Sequence, residues 1–136
     1  MKIELIGKRV TSLAMAPIEG NATAKKNMTA KVTLNNEIYS NVKDSKLFRV
    51  KYHVVVMVED WFKIELNYEF DFKSEEDFSW EIVKSHEVRS VVPSIAYPYI
   101  KTYAEQLMVI SNIGNFNLPY IDFFGNPMEP AGSDNS

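Results

Sequence analysis

Apolar and polar positions alternate along the middle of the chain almost without a break. Phe48, Val50, Tyr52, Val54, Val56 and Val58 recur at every second residue, as do Phe62, Ile64, Leu66, Tyr68, Phe70 and Phe72. A period of two puts every second side chain on the same face of a strand, so each run predicts a half-buried β-strand. In the second run Lys63, Glu65, Asn67, Glu69 and Asp71 fill the positions between, giving one apolar and one polar face, as in a sheet with one side in water. Pairing Val58 with Phe62 across Glu59-Asp60-Trp61 keeps both apolar sets on one face. It also sets Lys51 opposite Glu69 and Arg49 opposite Asp71, so opposite charges support the register. The loop lacks the glycine that short hairpin loops favour, and a longer loop is the alternative.

Met28, Ala30, Val32 and Leu34 alternate with Thr29, Lys31, Thr33 and Asn35, which predicts a third strand, and Ile3 to Leu13 predicts a fourth. The alternation of the latter slips at Ile6-Gly7, the signature of a bulge that turns the rest of the strand onto its other face. Residues 14–26 are small, polar and unpatterned, and read as a mobile connection. From Val92 the period changes. Val92, Ile95, Ala96, Tyr99, Ile100, Tyr103, Leu107 and Ile110 follow the three-and-four spacing of an amphipathic helix. Ser94 suits its N-cap, placing Pro98 in or just past the first turn, whereas a start near Glu81 would make Pro98 a kink. Asn112 or Gly114 can end it. Beyond Phe124 the run GNPMEPAGSDNS predicts a disordered polar tail over residues 125–136, leaving residues 1–124 as a single domain. Strands followed by a helix indicate an α+β fold, a four-stranded antiparallel sheet with the principal helix packed on its apolar face. A hot-dog fold, with its sheet wrapped around an earlier helix, is the second choice.

Composition narrows the function more by exclusion. At 136 residues, 46% hydrophobic and 12% aromatic, with a net charge of −3, the chain suits one packed domain. It has no cysteine, which excludes disulfides, thiolate metal sites and cysteine nucleophiles and is compatible with the cytosol. Gly7, Lys8 and Arg9 interrupt the start before any stretch long enough for a secretory signal, and no apolar run suits a membrane span, so a cytoplasmic protein is expected. The sequons Asn21-Ala22-Thr23 and Asn27-Met28-Thr29 matter only in a secretory compartment. His53 and His86 lack metal-ligand spacing and a third ligand, and read as surface histidines; no metal is expected. Glu75-Glu76-Asp77 reads as a solvated charge run. No nucleophile elbow, phosphate loop or dinucleotide fingerprint occurs, so neither an enzyme nor a cofactor is expected. The first 58 residues hold 10 basic and 4 acidic residues, and residues 59–87 hold 3 and 10. Neutralisation across the hairpin accounts for this split, with an acidic protein-docking surface as the alternative. The basic residues form no stripe with interleaved exposed aromatics, so no nucleic-acid partner is expected.

One resemblance goes further. Pro93-Ser94-Ile95-Ala96-Tyr97-Pro98-Tyr99-Ile100-Lys101 resembles the Pro-x-hydrophobic-hydrophobic-Phe-Pro-Tyr-x-Arg signature of the SecB-type protein-export chaperones, with Tyr97 in place of Phe and Lys101 in place of Arg. Asn117-Leu118-Pro119-Tyr120-Ile121-Asp122-Phe123 is similar to that family's Asn-Leu-x-Pro-Val-Asn-Phe segment. The resemblance implies a sheet with helices on one face, a homo-oligomer built as a dimer of dimers, and an ATP-independent holdase for unfolded or partly folded polypeptides. It implies signature roles for Pro93, Tyr97, Pro98, Tyr99 and Lys101. Met15, Pro17, Trp61, Phe78, Trp80 and Tyr103 become the candidates for contact with clients. Glu65 matches an acidic residue of the strand that docks the export motor ATPase, but Asn67-Tyr68-Glu69 replaces the family's glycine-containing stretch. Arg9 and Leu13 stand near where that docking surface carries acids, and Gly125-Asn126-Pro127 stands where the terminal helix should follow. These departures bring in two alternatives: a chaperone for one client, the antitoxin of a toxin–antitoxin system, or a non-chaperone adaptor with one partner.

Overall fold

Val58 pairs with Phe62, and from that point the ladder runs back along both strands with Lys51 opposite Glu69 and Arg49 opposite Asp71. The computed structural model describes residues 2–18, 29–59 and 61–130. In it the three-residue loop closes without glycine: Trp61 donates its N–H to the Val58 carbonyl at 2.9 Å, and Glu59 takes the left-handed conformation with φ of 44°. The Glu59 carboxylate accepts the Thr29 N–H at 2.8 Å, a bond that holds the residue where a glycine would otherwise sit. These two strands, β3 (Leu47–Val58) and β4 (Phe62–Ser74), are the centre of one antiparallel sheet. β1 (Ile3–Pro17) pairs with β4 and β2 (Ala30–Ser40) with β3, giving the order β1-β4-β3-β2.

β1 bulges between Leu5 and Gly7, as its alternation predicts, and a second time between Val10 and Ser12. Each bulge reverses the facing, so Leu5, then Lys8 and Val10, then Leu13, Met15 and Pro17 lie opposite the inward residues Phe72, Phe70, Tyr68, Leu66, Ile64 and Phe62. The strand runs on through residues 14–17, which correct the expected start of a mobile connection. Small side chains are no obstacle to pairing at a sheet edge, and Pro17 sits at the strand's end, where a missing donor is tolerated. The rest of that connection from residue 19, with Asn21 and Asn27 of the sequons, lies outside the described residues. β2 likewise extends past Asn35 to a buried Ile38, because Asn36 at an inward position gives its amide to the Glu129 carbonyl at 3.2 Å.

After β4 come a 3-10 turn at Trp80–Lys84 and a π turn at Glu87–Val91 that leads directly into α1 (Val92–Ile110). Ser94 is therefore not the N-cap. It lies inside the helix, where its hydroxyl donates to the Ser90 carbonyl at 2.7 Å. Pro93 occupies the first turn, where the lost donor costs least, and Pro98 lies within the helix on an exposed position. Val92, Ala96, Tyr97, Ile100, Ala104 and Met108 are buried, whereas Tyr99 and Ile110 from the expected stripe are exposed. The helix is rolled from the expected phase because the small Ala96 and Ala104 face the core, which leaves the bulkier residues at its edge. Asn112, with φ of 59°, ends it, and the N–H groups of Ile113 and Gly114 return to the Met108 carbonyl.

The expected disordered tail is also corrected. Residues 125–130 are docked: Met128 packs against the core, and its N–H donates to the Arg89 carbonyl at 2.8 Å. Residues 131–136 lie outside the described residues. Among the described residues no helix is long and apolar enough to cross a membrane. Ile100 has 0% exposure at the centre of the helix–sheet core. Ile100→Ala should therefore cost about 2–5 kcal/mol in urea unfolding with an unchanged m-value.

Candidate functional site

The apolar side chains left partly uncovered fall into separate patches. At the hairpin end of the sheet, Met15 lies opposite Ile64 and Pro17 opposite Phe62, and the Ile18 N–H donates to the Trp61 carbonyl at 2.8 Å. Trp61 stands edge-on to Phe62 with ring centroids 5.8 Å apart. Met15 and Trp61 are half-buried and Pro17 is exposed. Because Ile18 is tied to Trp61 and Thr29 to Glu59, the chain leaves β1 and returns to β2 at the same β3–β4 turn.

The second patch runs along one edge of α1. Tyr103 meets Tyr68 edge-on at 5.8 Å and Tyr99 meets Phe70 at 6.3 Å, so the helix lies over β4 beside β1. Lys8, turned inward by the first bulge, places its ammonium 4.8 Å from the Tyr99 ring centroid. Tyr99, Tyr103, Leu107 and Ile110 follow one another at helical spacing, and Ile110 is 76% exposed. The third patch is at the far end of the sheet. Phe48 stacks on Phe72, Phe78 lies tilted against Phe48, and Trp80 meets Phe78 edge-on at 5.2 Å and is 54% exposed. The six expected contact residues are thus not one site. Met15, Pro17 and Trp61 sit together, Phe78 and Trp80 sit together, and Tyr103 lies between. Ten residue steps of β4, about 33 Å, separate the two ends.

The signature residues fasten the fold. Tyr97 is buried against Phe123 and donates its hydroxyl to the Pro119 carbonyl at 2.7 Å. Lys101 bridges Glu105 at 2.7 Å, and the same Glu105 oxygen accepts the Leu118 N–H at 2.7 Å. Residues 118–123 are in this way held across α1. Sequence reasoning did not find Glu105 as their fastener, nor Arg89, Asn36 and Met128 as those of the segment that follows. The isolated Met128 in a polar run was the signal available for the last of these.

Charges on the solvent face of the sheet satisfy one another. Glu69 lies 3.3 Å from Arg9 and 3.5 Å from Arg49, and Arg49 donates its Nε–H to Asp71 at 2.6 Å. That hydrogen bond and the neighbouring carboxylates hold the Arg49 guanidinium above its usual range. Lys63 lies 2.8 Å from Glu65, and hydrogen bonding to it, then its charge, lowers the Glu65 carboxyl below the usual value. Ile6 and Tyr39 flank a cleft of 220 Å³ floored by Arg49 and Asp71. His53 is exposed with Nδ1 3.0 Å from the Asn67 side-chain oxygen, and His86 is exposed beside Phe124. Glu75 accepts the Lys2 N–H and Asp77 the Ser45 hydroxyl, so this acidic run caps neighbouring turns. Among the described residues no group of three His, Asp or Glu side chains could hold a metal.

No protein-family model matches the chain, and no curated protein does. Among solved structures, the SecB-like chaperone Rv1957 of Mycobacterium tuberculosis, in complex with a ChAD peptide from the HigA1 antitoxin Rv1956, superposes with a TM-score of 0.70 over 88% of each chain at 13% identity. The fold is SecB-like. Within it, the segment at residues 93–101 whose sequence suggested the likeness joins the helix to the segment that follows.

Burial, then the charge of Glu105, pushes the Tyr97 hydroxyl up to about 12, and burial raises Tyr52 further still. Both lose a proton more easily in the unfolded chain, so their contribution to stability is whole below the ordinary tyrosine value of 10.0 and drains away as pH climbs toward 12. Urea midpoints should fall over that interval, and Tyr97→Phe should flatten the fall.

Proposed function

We propose that this protein is an ATP-independent holdase that binds unfolded or partly folded polypeptides. The observation that supports this reading best is the shared fold with a chaperone solved on a peptide, in a chain whose sheet has, among the described residues, both edges unpaired and half-covered apolar side chains beside them. An extended client can bond its backbone to a free strand edge whatever its sequence, while its apolar side chains settle on neighbouring aromatic and Met surfaces. The client surface in this reading comprises Met15, Pro17 and Trp61 at one end, Tyr103 on the helix, and Phe78 and Trp80 at the other end. A client touching both ends needs about ten extended residues, from the rise per residue of a strand.

A narrower reading, service to one client such as an antitoxin, is favoured by the peptide found on Rv1957. Export-motor docking is not assigned. Glu65 is engaged by Lys63 and Glu69 by two arginines, so the outer face offers no concentrated acidic patch to a basic partner. A second copy of the chain belongs to the proposal as well. Among the described residues the 15-residue β1 is a long unpaired edge, and native proteins cover such edges or pair them.

Light scattering on several chemically denatured, unrelated polypeptides should show protection near stoichiometric ratios without nucleotide. Trp61→Ser and Trp80→Ser should each weaken it. Protection of a single client supports the narrow reading, and protection of none overturns the general holdase. Sedimentation equilibrium at micromolar concentration should find dimers or tetramers; a strictly monomeric species would remove the assembly.

A further inference from the structure

The last described stretch of the chain is held as a bound peptide is held. Met128 exchanges two hydrogen bonds with Arg89: its N–H donates to the Arg89 carbonyl at 2.8 Å, and the Arg89 Nε–H donates to the Met128 carbonyl at 2.8 Å. Asn36 of β2 holds the next carbonyl, that of Glu129. The Met128 side chain sits with Val32, Leu34, Ile121 and Phe123 around a cavity of 260 Å³. An unbranched, polarizable side chain suits an irregular gap, and the remaining volume leaves room for a larger one.

The flanking residues make this segment a poor permanent cover. Pro127 and Pro130 have no N–H, so the segment cannot join β2 as a fifth strand, and among the described residues the outer edge of β2 stays open. Asn126, Pro127 and Glu129 are exposed, which leaves Met128, a half-buried Pro130 and a few hydrogen bonds to hold it. Its pivot is compact: Asp122 Oδ1 accepts the N–H groups of Phe124 and Gly125, and the Asp122 carbonyl accepts that of Asn126. A segment hinged there can leave and return without disturbing α1.

The geometry points to a self-occupied site, in which residues 125–130 keep Met128 in a position that a client's apolar side chain takes when the segment swings away. The inference rests on the client-binding reading and adds its regulation. The client that fits is an extended segment whose apolar anchor residue has a free N–H and C=O to exchange with Arg89, which excludes proline at the anchor. Apparent affinity is then reduced by the fraction of time the site is open, so a segment bound nine-tenths of the time lowers it about tenfold.

Two forms of the full chain test this. Met128→Ser releases the segment. Because the chain has no cysteine, Asn36→Cys with Glu129→Cys provides one disulfide that locks it and that reductant undoes. The probes are fluorescently labelled, reduced and carboxymethylated α-lactalbumin, read by anisotropy, and anilinonaphthalene sulfonate as a reporter of open apolar surface. Met128→Ser should bind the polypeptide several-fold more tightly and brighten the dye, and the oxidised pair should do the reverse of its own reduced form. Equal polypeptide affinity in all forms overturns the inference and leaves the chaperone reading standing. Dye changes of the expected sign with no polypeptide bound by any form keep the self-occupied site and overturn the general holdase reading. Cysteines that join without weakening polypeptide binding relative to their reduced form also overturn the inference.

Discussion

A sheet with one wet face must keep its other face dry, and here one helix does most of that work. The inward residues of β3 and β4 are nearly all fully buried, and α1 reaches them closely because Ala96 and Ala104 put little between its backbone and the sheet. One helix cannot cover four strands spaced about 4.8 Å apart. The β2 side therefore depends on the chain beyond α1, held by the Tyr97 hydroxyl, Glu105 and Arg89. The β1 side is met by the helix edge that carries Tyr99 and Tyr103. The incompletely covered margins are what recommend this surface for taking up other chains.

Where local pattern and tertiary need coincided, the fold was legible. The β3–β4 register follows from period and charge together, and Gly7 betrays the first bulge by breaking the alternation. The second bulge left no trace because Thr11 and Ser12 are both small and polar, and either can face water. The helix could be recognised but not its roll, since Ala104 and Met108 score no better than Tyr103 and Leu107 until the distance to the sheet is known. The docking of residues 125–130 was beyond reach, because its partners Arg89 and Asn36 lie far away in sequence and neither belongs to an apolar pattern.

The candidate surface was legible as single residues and illegible as an arrangement. Each exposed aromatic could be named, but whether Trp61 and Trp80 share a patch depends on which ends of the strands adjoin. That is decided by the strand order, which places Pro17 beside Phe62 and Ile3 beside Ser74. The resemblance at residues 93–101 pointed to the right fold through residues that serve cohesion, as Tyr97 and Lys101 show, and so carried no information about what is bound.

The strand order also separates synthesis from assembly. β1 is the first strand made, yet its neighbour in the sheet is β4, with Ile3 set against Ser74 and Pro17 against Phe62. No partner for it exists until β4 has been translated. β2 and β3 can meet through the short connection between them as soon as both have emerged, and β4 then adds to β3 across a three-residue loop. Throughout that interval the emerging β1 is itself an unpaired extended polypeptide with apolar side chains, the same kind of object that we propose the finished protein holds.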